Sequence, residues 1–346
     1  MVVRNVKLKV SKTTEAKLNE WLWQLAGVWN FAIRKVELDA KDGFYHSRRD
    51  FRQLADGCSK KVGLPGHTIQ AVLDDAWLAW DKCFKKIRKK PRLKSVRNKM
   101  GSIPFPDPTK VNGNRVTIPL LGKFRFYGDL PEGKLKQARL CKRASGWHLA
   151  VWVDANSKSI EPKLDRQIGI DPGYETLLSL SDGEKIQHPK ELSKLSTRLA
   201  QAQRGNNKKL SARIQEKIAN QRKDRNHKLS FQLVAECSEI YFSKDRIKNL
   251  QKVFGKSVLS AGHAQLQSML AYKSACSGRK YVEVDSRHST TTCSACSARS
   301  GPTGFAGLKI RNWVCSECGS EHDRDINSAI NTLISGKVIA TGSTAT

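Results

Sequence analysis

Nine cysteines occur in the chain, and four of them are spaced for chemistry. Cys293-Ser-Ala-Cys296 and Cys315-Ser-Glu-Cys318 are two CxxC knuckles with 18 residues between them. Each offers two thiolates from one tight turn, and together they supply the ligands of a tetrahedral structural Zn²⁺. Pairing into disulfides is the other use of four cysteines. A zinc brace does no chemistry by itself, but two acids lie where chemistry is expected. Asp171 ends the apolar run Arg166-Gln-Ile-Gly-Ile, where Pro172-Gly173 turns the chain, and Asp325 opens the last helical stretch soon after the second knuckle. Hydrolysis of a phosphodiester by two Mg²⁺ needs carboxylates that hold the ions about 4 Å apart, one activating water and the other stabilising the leaving oxygen. Taken singly, an acid at a strand end can cap a turn, and one at a helix start can be an N-cap.

The charge of the chain points to the substrate class. Its 346 residues give room for two or three domains and carry 62 Lys and Arg against 32 Asp and Glu, a formal net charge of +30. Such an excess resists compaction unless a polyanion neutralises it, and nucleic acid is the commonest polyanion open to a soluble protein. No run of about 18 apolar residues and no cleavable signal peptide is read, which sets a membrane aside. Cysteines assigned to a metal fit a reducing cytoplasm better than secretion. Basic residues are concentrated: 18 lie between Lys85 and Leu149 against Asp107, Asp129 and Glu132, and 12 between Lys190 and Lys228 against Glu191, Glu216 and Asp224. Two dense blocks suit an extended phosphate backbone, gripped without reading its sequence. Lys85, Lys86, Arg88, Lys89, Lys90 and Arg92 are the candidate contacts of the first block, and Arg222 and Lys228 of the second; ordinary solvated charge is the plainer reading of each.

The elements that must position these residues follow from periodicity. Val3, Val6, Leu8 and Val10 alternate as in a strand. Ser11 or Thr13 then caps a helix to about Ala40, and further helices are expected over roughly Arg48–Lys61 and Gly66–Ile87. Trp21, Trp29, Trp77 and Trp80 read as the core of this bundle, with base stacking the alternative. After a break at Pro91–Pro108, residues 111–154 are strand-like and turn-rich. They predict a small antiparallel barrel that the first strand joins, with the helices inserted between. Lys123-Phe-Arg-Phe suits either a nucleic-acid-facing strand or a half-buried one. Beyond the linker Ala155–Lys163 come the Asp171 strand, a returning strand at Thr176-Leu-Leu-Ser-Leu, and a long polar helical segment over Pro189–Glu236. Then follow a short buried strand at Ile240-Tyr-Phe-Ser243, a helix over Ser257–Lys273, a strand at Lys280-Tyr-Val-Glu-Val284, the knuckles, and a last helix from Ile326. Strands followed by alternating strands and helices describe an α/β domain of the ribonuclease H type. A loose tail is expected from residue 337.

These residues also carry a family resemblance. Gly169-Ile-Asp171-Pro-Gly, the helix at Asn220–Lys228, and the two knuckles closed by Asp323-Arg-Asp325-Ile-Asn-Ser-Ala resemble TnpB, the RuvC-like protein of bacterial insertion sequences. The likeness is strong from about Leu164 to Gly336 and looser before it. It implies an RNA-guided DNA endonuclease related to the type V CRISPR effectors, with a guide RNA from its own element's end, target double-stranded DNA and catalytic Mg²⁺, in a bacterial cytoplasm and on the nucleoid when bound to DNA. It further implies a multidomain α+β and α/β chain. Residues 1–10 and 103–158 would form a wedge-like β-barrel and 11–102 an inserted helical recognition domain. Residues 164–285 and 325–336 would form an RNase H-like RuvC domain, 286–324 an inserted zinc ribbon, and 337–346 a flexible tail. Asp171 matches the first RuvC acid and Asp325 the third.

The second acid departs from the family pattern. Ile247-Lys-Asn249 matches the segment that follows the usual glutamate, but Ser243 stands in the glutamate's place and brings no charge. Glu283, in Tyr281-Val-Glu-Val-Asp285, is the best substitute, because one branch of TnpB and the eukaryotic Fanzor proteins resemble this arrangement, with the glutamate on the neighbouring strand. Lys256–Gly262 and Thr290-Thr-Thr-Cys293 also resemble that branch. Asp245 and Asp285 are rival acids. Two readings therefore stand: a nuclease at Asp171, Glu283 and Asp325, or an RNA-guided DNA-binding repressor that has lost cleavage. A cut-and-paste transposase fits less well, since no separate sequence-reading DNA domain is seen.

Overall fold

A computed structural model describes residues 2–54, 56–107, 110–154, 165–244, 262–285, 287–307 and 309–341. The chain is a mixed α+β protein of two compact units, Met1–Ser157 and Lys158–Thr346.

In the first unit, β1 (Val2–Leu8) is followed by α1 (Lys12–Lys41), α2 (Arg48–Gln53), α3 (Cys58–Val62) and α4 (Gly66–Phe84). Ser11 caps α1 by accepting from Thr14 N at 3.1 Å. The single helix expected over Arg48–Lys61 is two short ones, because Gly57 takes a left-handed φ of 76° between them. Helix α4 stops at Phe84 rather than Ile87, and Lys86 turns left-handed at φ 57°. Strands β2 (Ser102–Phe105), β3 (Lys110–Asn112), β4 (Arg115–Ile118), β5 (Gly122–Tyr127), β6 (Lys134–Arg143) and β7 (Gly146–Asp154) join β1 in a seven-stranded sheet ordered β2-β6-β7-β1-β5-β4-β3. The expected barrel is not closed. β2 and β3 are the two edges, and among the described residues no ladder joins them. The first strand does enter the sheet, paired antiparallel with both β7 and β5. Helix and sheet residues share one core, with Leu18, Trp21, Leu25, Val72 and Leu73 packed with Ile103, Leu140 and Leu149. Trp80 is buried in it too, while Trp29 and Trp77 are partly buried against it. On β5, Phe124 and Phe126 point inward and Lys123 and Arg125 outward.

In the second unit, β8 (Arg166–Pro172), β9 (Thr176–Leu180), β10 (Lys185–Gln187), α5 (Lys190–Arg204), α6 (Lys208–Glu236), β11 (Cys237–Lys244), α7 (His263–Cys276), β12 (Lys280–Asp285), α8 (Gly304–Gly307), β13 (Asn312–Val314), β14 (Glu321–Asp323) and α9 (Arg324–Thr341) follow. The polar helical segment is split at Asn206, which takes φ 48°, and Asn207 caps α6 by accepting from Leu210 N. Five strands form a sheet ordered β10-β9-β8-β11-β12, antiparallel from β10 to β8 and parallel from β8 to β12. Ile168, Ile170, Ile240 and Phe242 meet Leu229, Leu233, Leu266 and Leu270 of α6 and α7 on one face. Helix α9 covers the other face closely enough that a Cβ on Gly169 would lie 2.1 Å from Ala329 O, and one on Gly336 would lie 2.2 Å from the Tyr241 ring. That helix runs to Thr341, through part of the segment expected to be loose.

Candidate functional site

Alternation along the strands decides which acids meet. Gly169 and Asp171 on β8, and Tyr241 and Ser243 on β11, alternate onto the face under α9. There the Ser328 hydroxyl of α9 donates to Asp171 Oδ1 at 2.9 Å and lies 2.8 Å from Ser289 Oγ. Asp325 stands three residues earlier on α9, hence on the same side of the helix one turn away. Asp323 caps that turn, its Oδ1 accepting from the backbone N–H groups of Asp325 and Ile326 at 3.1 Å. Arg311 donates to both Asp325 oxygens, at 3.3 and 3.4 Å, and also bonds Glu175. Glu175 is thus a carboxylate linked to Asp325 that sequence reasoning missed. Its place four residues after Asp171, just beyond the Pro-Gly turn, was the available signal.

Glu283 is not brought to this face. In the parallel register, Phe242 pairs with Glu283 on one side and with Ile170 on the other. Residues paired across strands share a face, so Glu283 projects on the side of α6 and α7, opposite Asp171. Its Oε2 there takes an ion pair from Lys244 Nζ at 2.5 Å. Asp285, the other rival acid on this strand, bonds Arg287. Ser243, where the resemblance expects a glutamate, is fully buried, and its hydroxyl has no hydrogen-bond partner among the described residues. Asp245, Ile247-Lys-Asn249 and most of Lys256–Gly262 lie outside the described residues. Among the described residues, Asp171, Glu283 and Asp325 do not gather their ligand atoms as the cysteines do.

The four knuckle cysteines converge. All four Sγ atoms lie within 4.8 Å of one another, with Cys293–Cys318 at 3.7 Å and Cys296–Cys315 at 3.6 Å. Tetrahedral Zn–S bonds of about 2.3 Å put sulfurs roughly 3.8 Å apart, so the donor set fits that ion. Ser300 Oγ donates to Cys315 Sγ at 3.1 Å, and this bond first of all pulls the Cys315 thiol down to about 6, toward the thiolate a metal needs. The second knuckle sits in the turn of the β13–β14 hairpin, where Trp313 pairs with His322. Trp313 is buried against Cys293 and Cys315, and its ring lies 4.6 Å from that of His322, which in turn is 3.0 Å from Cys293 Sγ. Helix α9 ties this cluster to the acids. Asn327 accepts from Ser294 N, and Asn327 and Asn331 both donate to the Ser289 and Thr292 carbonyls. Their spacing of four residues places them on one helix face.

The Asp171 turn rests on two histidines. His263, buried at the start of α7, has its imidazole pulled down to about 4, by burial first and then by the charges of His188 and Arg225. His188 is lowered as well, chiefly by burial.

The first basic block, in the other unit, is a strap held to α1. Trp29 Nε1 donates to Arg92 O at 3.1 Å, Asn30 exchanges two bonds with the Lys94 backbone at 2.9 and 2.7 Å, and Lys90 pairs with Glu37 at 2.5 Å. Lys85, Lys86, Arg88, Lys89, Lys90 and Arg92 are all exposed along it, with Lys85 also paired to Asp81. On α6, Lys228 pairs with Asp224 on the surface, and Arg222 is half-buried.

Fold and site together define a mixed α+β protein of the Cas12f1 structural type. A solved structure, the Cas12f1-sgRNA-target DNA complex, holds a chain of similar fold at TM-score 0.57 and 13% identity, over 93% of this chain and 83% of that one. Residues 150–253 match the family model described as "Probable transposase", and residues 263–332 the "Cas12f1-like, TNB domain". A Streptomyces pristinaespiralis protein named as an RNA-guided DNA endonuclease is 32% identical over 78% of this chain and 71% of its own length. InsQ of Escherichia coli K12, named likewise, is 23% identical over 80% of this chain and 75% of its own. The chain belongs to the TnpB family.

Proposed function

We propose that this protein is the RNA-guided DNA endonuclease of a transposable element, binding a guide RNA and double-stranded target DNA. The observation that carries the reading is the joining of Asp171 to α9 through Ser328, one turn from Asp325, on the helix that is also tied to the converged cysteine cluster. The five-stranded sheet with α9 on one face is then an RNase H-like, RuvC-type domain over residues 164–285 and 325–336. Residues 286–324 are its zinc ribbon, and the first unit supplies the wedge-like sheet (1–10 and 103–158) and the inserted helices (11–102). Cys293, Cys296, Cys315 and Cys318 would hold Zn²⁺, and the hard carboxylates Asp171 and Asp325 suit Mg²⁺, which when bound supplies charge and an activated water. This chain's own residues do the rest. Ser328 orients Asp171, Arg311 bridges Asp325 and Glu175, and the strap from Lys85 to Arg92, with Arg222 and Lys228, gives the nucleic-acid backbone cations to grip. Glu283 joins the site only by breaking its Lys244 ion pair and turning the edge of β12.

A second reading, a guided DNA-binding repressor without cleavage, is favoured by one specific observation. Ser243 is buried at the acid's place while Glu283 faces the opposite side of the sheet. Cleavage of target DNA by the purified ribonucleoprotein in Mg²⁺, wild type against Asp171→Ala and Glu283→Ala, separates them. Cutting by wild type that both variants lose establishes the nuclease with Glu283 in it. Cutting lost only by Asp171→Ala removes Glu283. Tight binding without cutting makes the protein a repressor.

A further inference from the structure

Two arginines of the first unit are held in a geometry that a merely solvated charge does not need. Arg48 and Arg52 lie one turn apart on α2, and both fork onto Asp74 of α4. Arg48 uses Nε and Nη2 on the two oxygens at 3.1 and 2.8 Å, and Arg52 uses the same pair of nitrogens at 2.9 and 2.6 Å. A guanidinium carries five N–H donors, so each keeps three, two of them parallel on the Nη1–Nη2 edge. The arginine side chains remain 53% and 46% exposed, while that of Asp74 is 15% exposed beneath them. Burial alone would push the Asp74 carboxyl up, but the forks from Arg52 and Arg48 hold it at about 2, so the support stays ionised at any working pH. Above the pair is an open cleft of about 480 Å³ lined by Arg48, Arg49, Arg52, Gln53, Asp56 and Gln70. Its side chains carry three guanidiniums, two carboxamides and one carboxylate, and Asp74 below offsets one guanidinium.

We infer that Arg48 and Arg52 form a forked grip for phosphodiester groups of a nucleic-acid backbone, with Asp74 as the residue that positions them. A planar guanidinium held by one edge offers the other to two phosphate oxygens at once, with its rotamer already fixed. The inference rests on the proposed function for the identity of the polyanion, and adds a contact region distinct from the Lys85–Arg92 strap. The same chemistry serves a guide RNA or the target duplex, and the two are separated by measuring both.

The test is salt-dependent binding of the full-length protein to a labelled single-stranded RNA and to a DNA duplex, each also made with an uncharged methylphosphonate backbone. Arg48→Gln with Arg52→Gln is expected to weaken phosphodiester binding about tenfold and to flatten the log–log salt slope by roughly 1.4 on single strands or 1.8 on duplex. The methylphosphonate probe should show no difference. Asp74→Asn decides the role of the carboxylate by sign. It adds a positive charge to the surface, so it tightens binding if the arginines act as point charges and weakens it if Asp74 positions them. Arg48→Lys with Arg52→Lys keeps the charge and loses the fork, and is expected to bind several-fold more weakly. The exposed Lys61→Gln on α3 is the matched loss of one charge outside the cleft. Tighter binding by Asp74→Asn, or wild-type affinity in the lysine pair, overturns the inference. Failure of the wild-type protein to bind any nucleic acid overturns the proposed function instead.

Discussion

Ser328 Oγ donates to Asp171 Oδ1 at 2.9 Å, joining the end of β8 to the first turns of α9. The hydroxyl is buried, so its loss leaves Asp171 without that partner. Ser328→Ala is expected to cost about 1 kcal/mol of stability. It should lower the cleavage rate roughly tenfold with little change in target affinity, because it moves a carboxylate rather than a binding surface. Single-turnover cleavage beside a binding isotherm checks this; an unchanged rate would remove Ser328 from the site.

Ser243 stands where the TnpB resemblance puts a glutamate, and placing an acid there is informative. Ser243→Glu buries a carboxylate at a position with no exposure, expected to lower stability by a few kcal/mol in EDTA. If Asp171 and the new glutamate share a cation, Mg²⁺ should recover most of the loss and speed cleavage. Thermal melts with and without Mg²⁺ read this directly. Equal deficits in both conditions mean that position 243 does not face a metal.

The cysteine cluster predicts one zinc per chain by elemental analysis, and loss of it in Cys315→Ser. Chelation should change Trp313 fluorescence, since that indole is 8% exposed and packed on two of the cysteines. A chelator that strips the metal and leaves the emission unaltered would separate Trp313 from the ribbon.

His263 makes stability depend on pH. Its folded pKa, about 4, lies below the ordinary 6.5, so the unfolded chain binds a proton more readily. The stabilisation is full above about pH 6.5 and is lost as pH falls toward 4, by up to about 3 kcal/mol. His263→Phe keeps a ring beside Tyr174 and should flatten the decline. Urea unfolding at several pH values compares the two, and parallel curves would assign the decline to other groups.

Asn30 holds the basic strap by its backbone. Asn30→Ala removes no charge, yet it should weaken RNA binding about threefold by freeing Lys90 to Lys94 to wander. Wild-type affinity would mean that the strap needs no fixed shape.

Much of this was legible in local pattern. The knuckle spacing marked the cluster that the four sulfurs form, and Ser11 marked the start of α1. Alternation at Lys123-Phe-Arg-Phe marked a strand but left open which face it buries, and the fold turns Phe124 and Phe126 inward. Apolar residues at helical spacing placed α1 and α4, and the apolar run before Pro172 placed the strand that delivers Asp171. These are short-range properties, set by dihedral preference, capping and the period of burial. The breaks at Gly57 and Asn206 depend on single residues turning left-handed, which a helical period does not reveal.

Tertiary structure decided the rest. Glu283 looked like the replacement for Ser243 because it lies one strand over, but parallel pairing set it opposite Phe242, and a register step of one residue reverses the face of a side chain. The open sheet of the first unit follows from which edges find partners, a question of long-range pairing that no segment answers alone. The links from Asp171 to Ser328, from Asp325 to Arg311 and from Asp74 to two arginines join residues 157, 14, and 26 and 22 positions apart. Residue types and their spacing set which chemistries the chain carries; the packing of α9 on the sheet and of α2 on α4 selects which groups meet, because face and register are settled between elements and not within them.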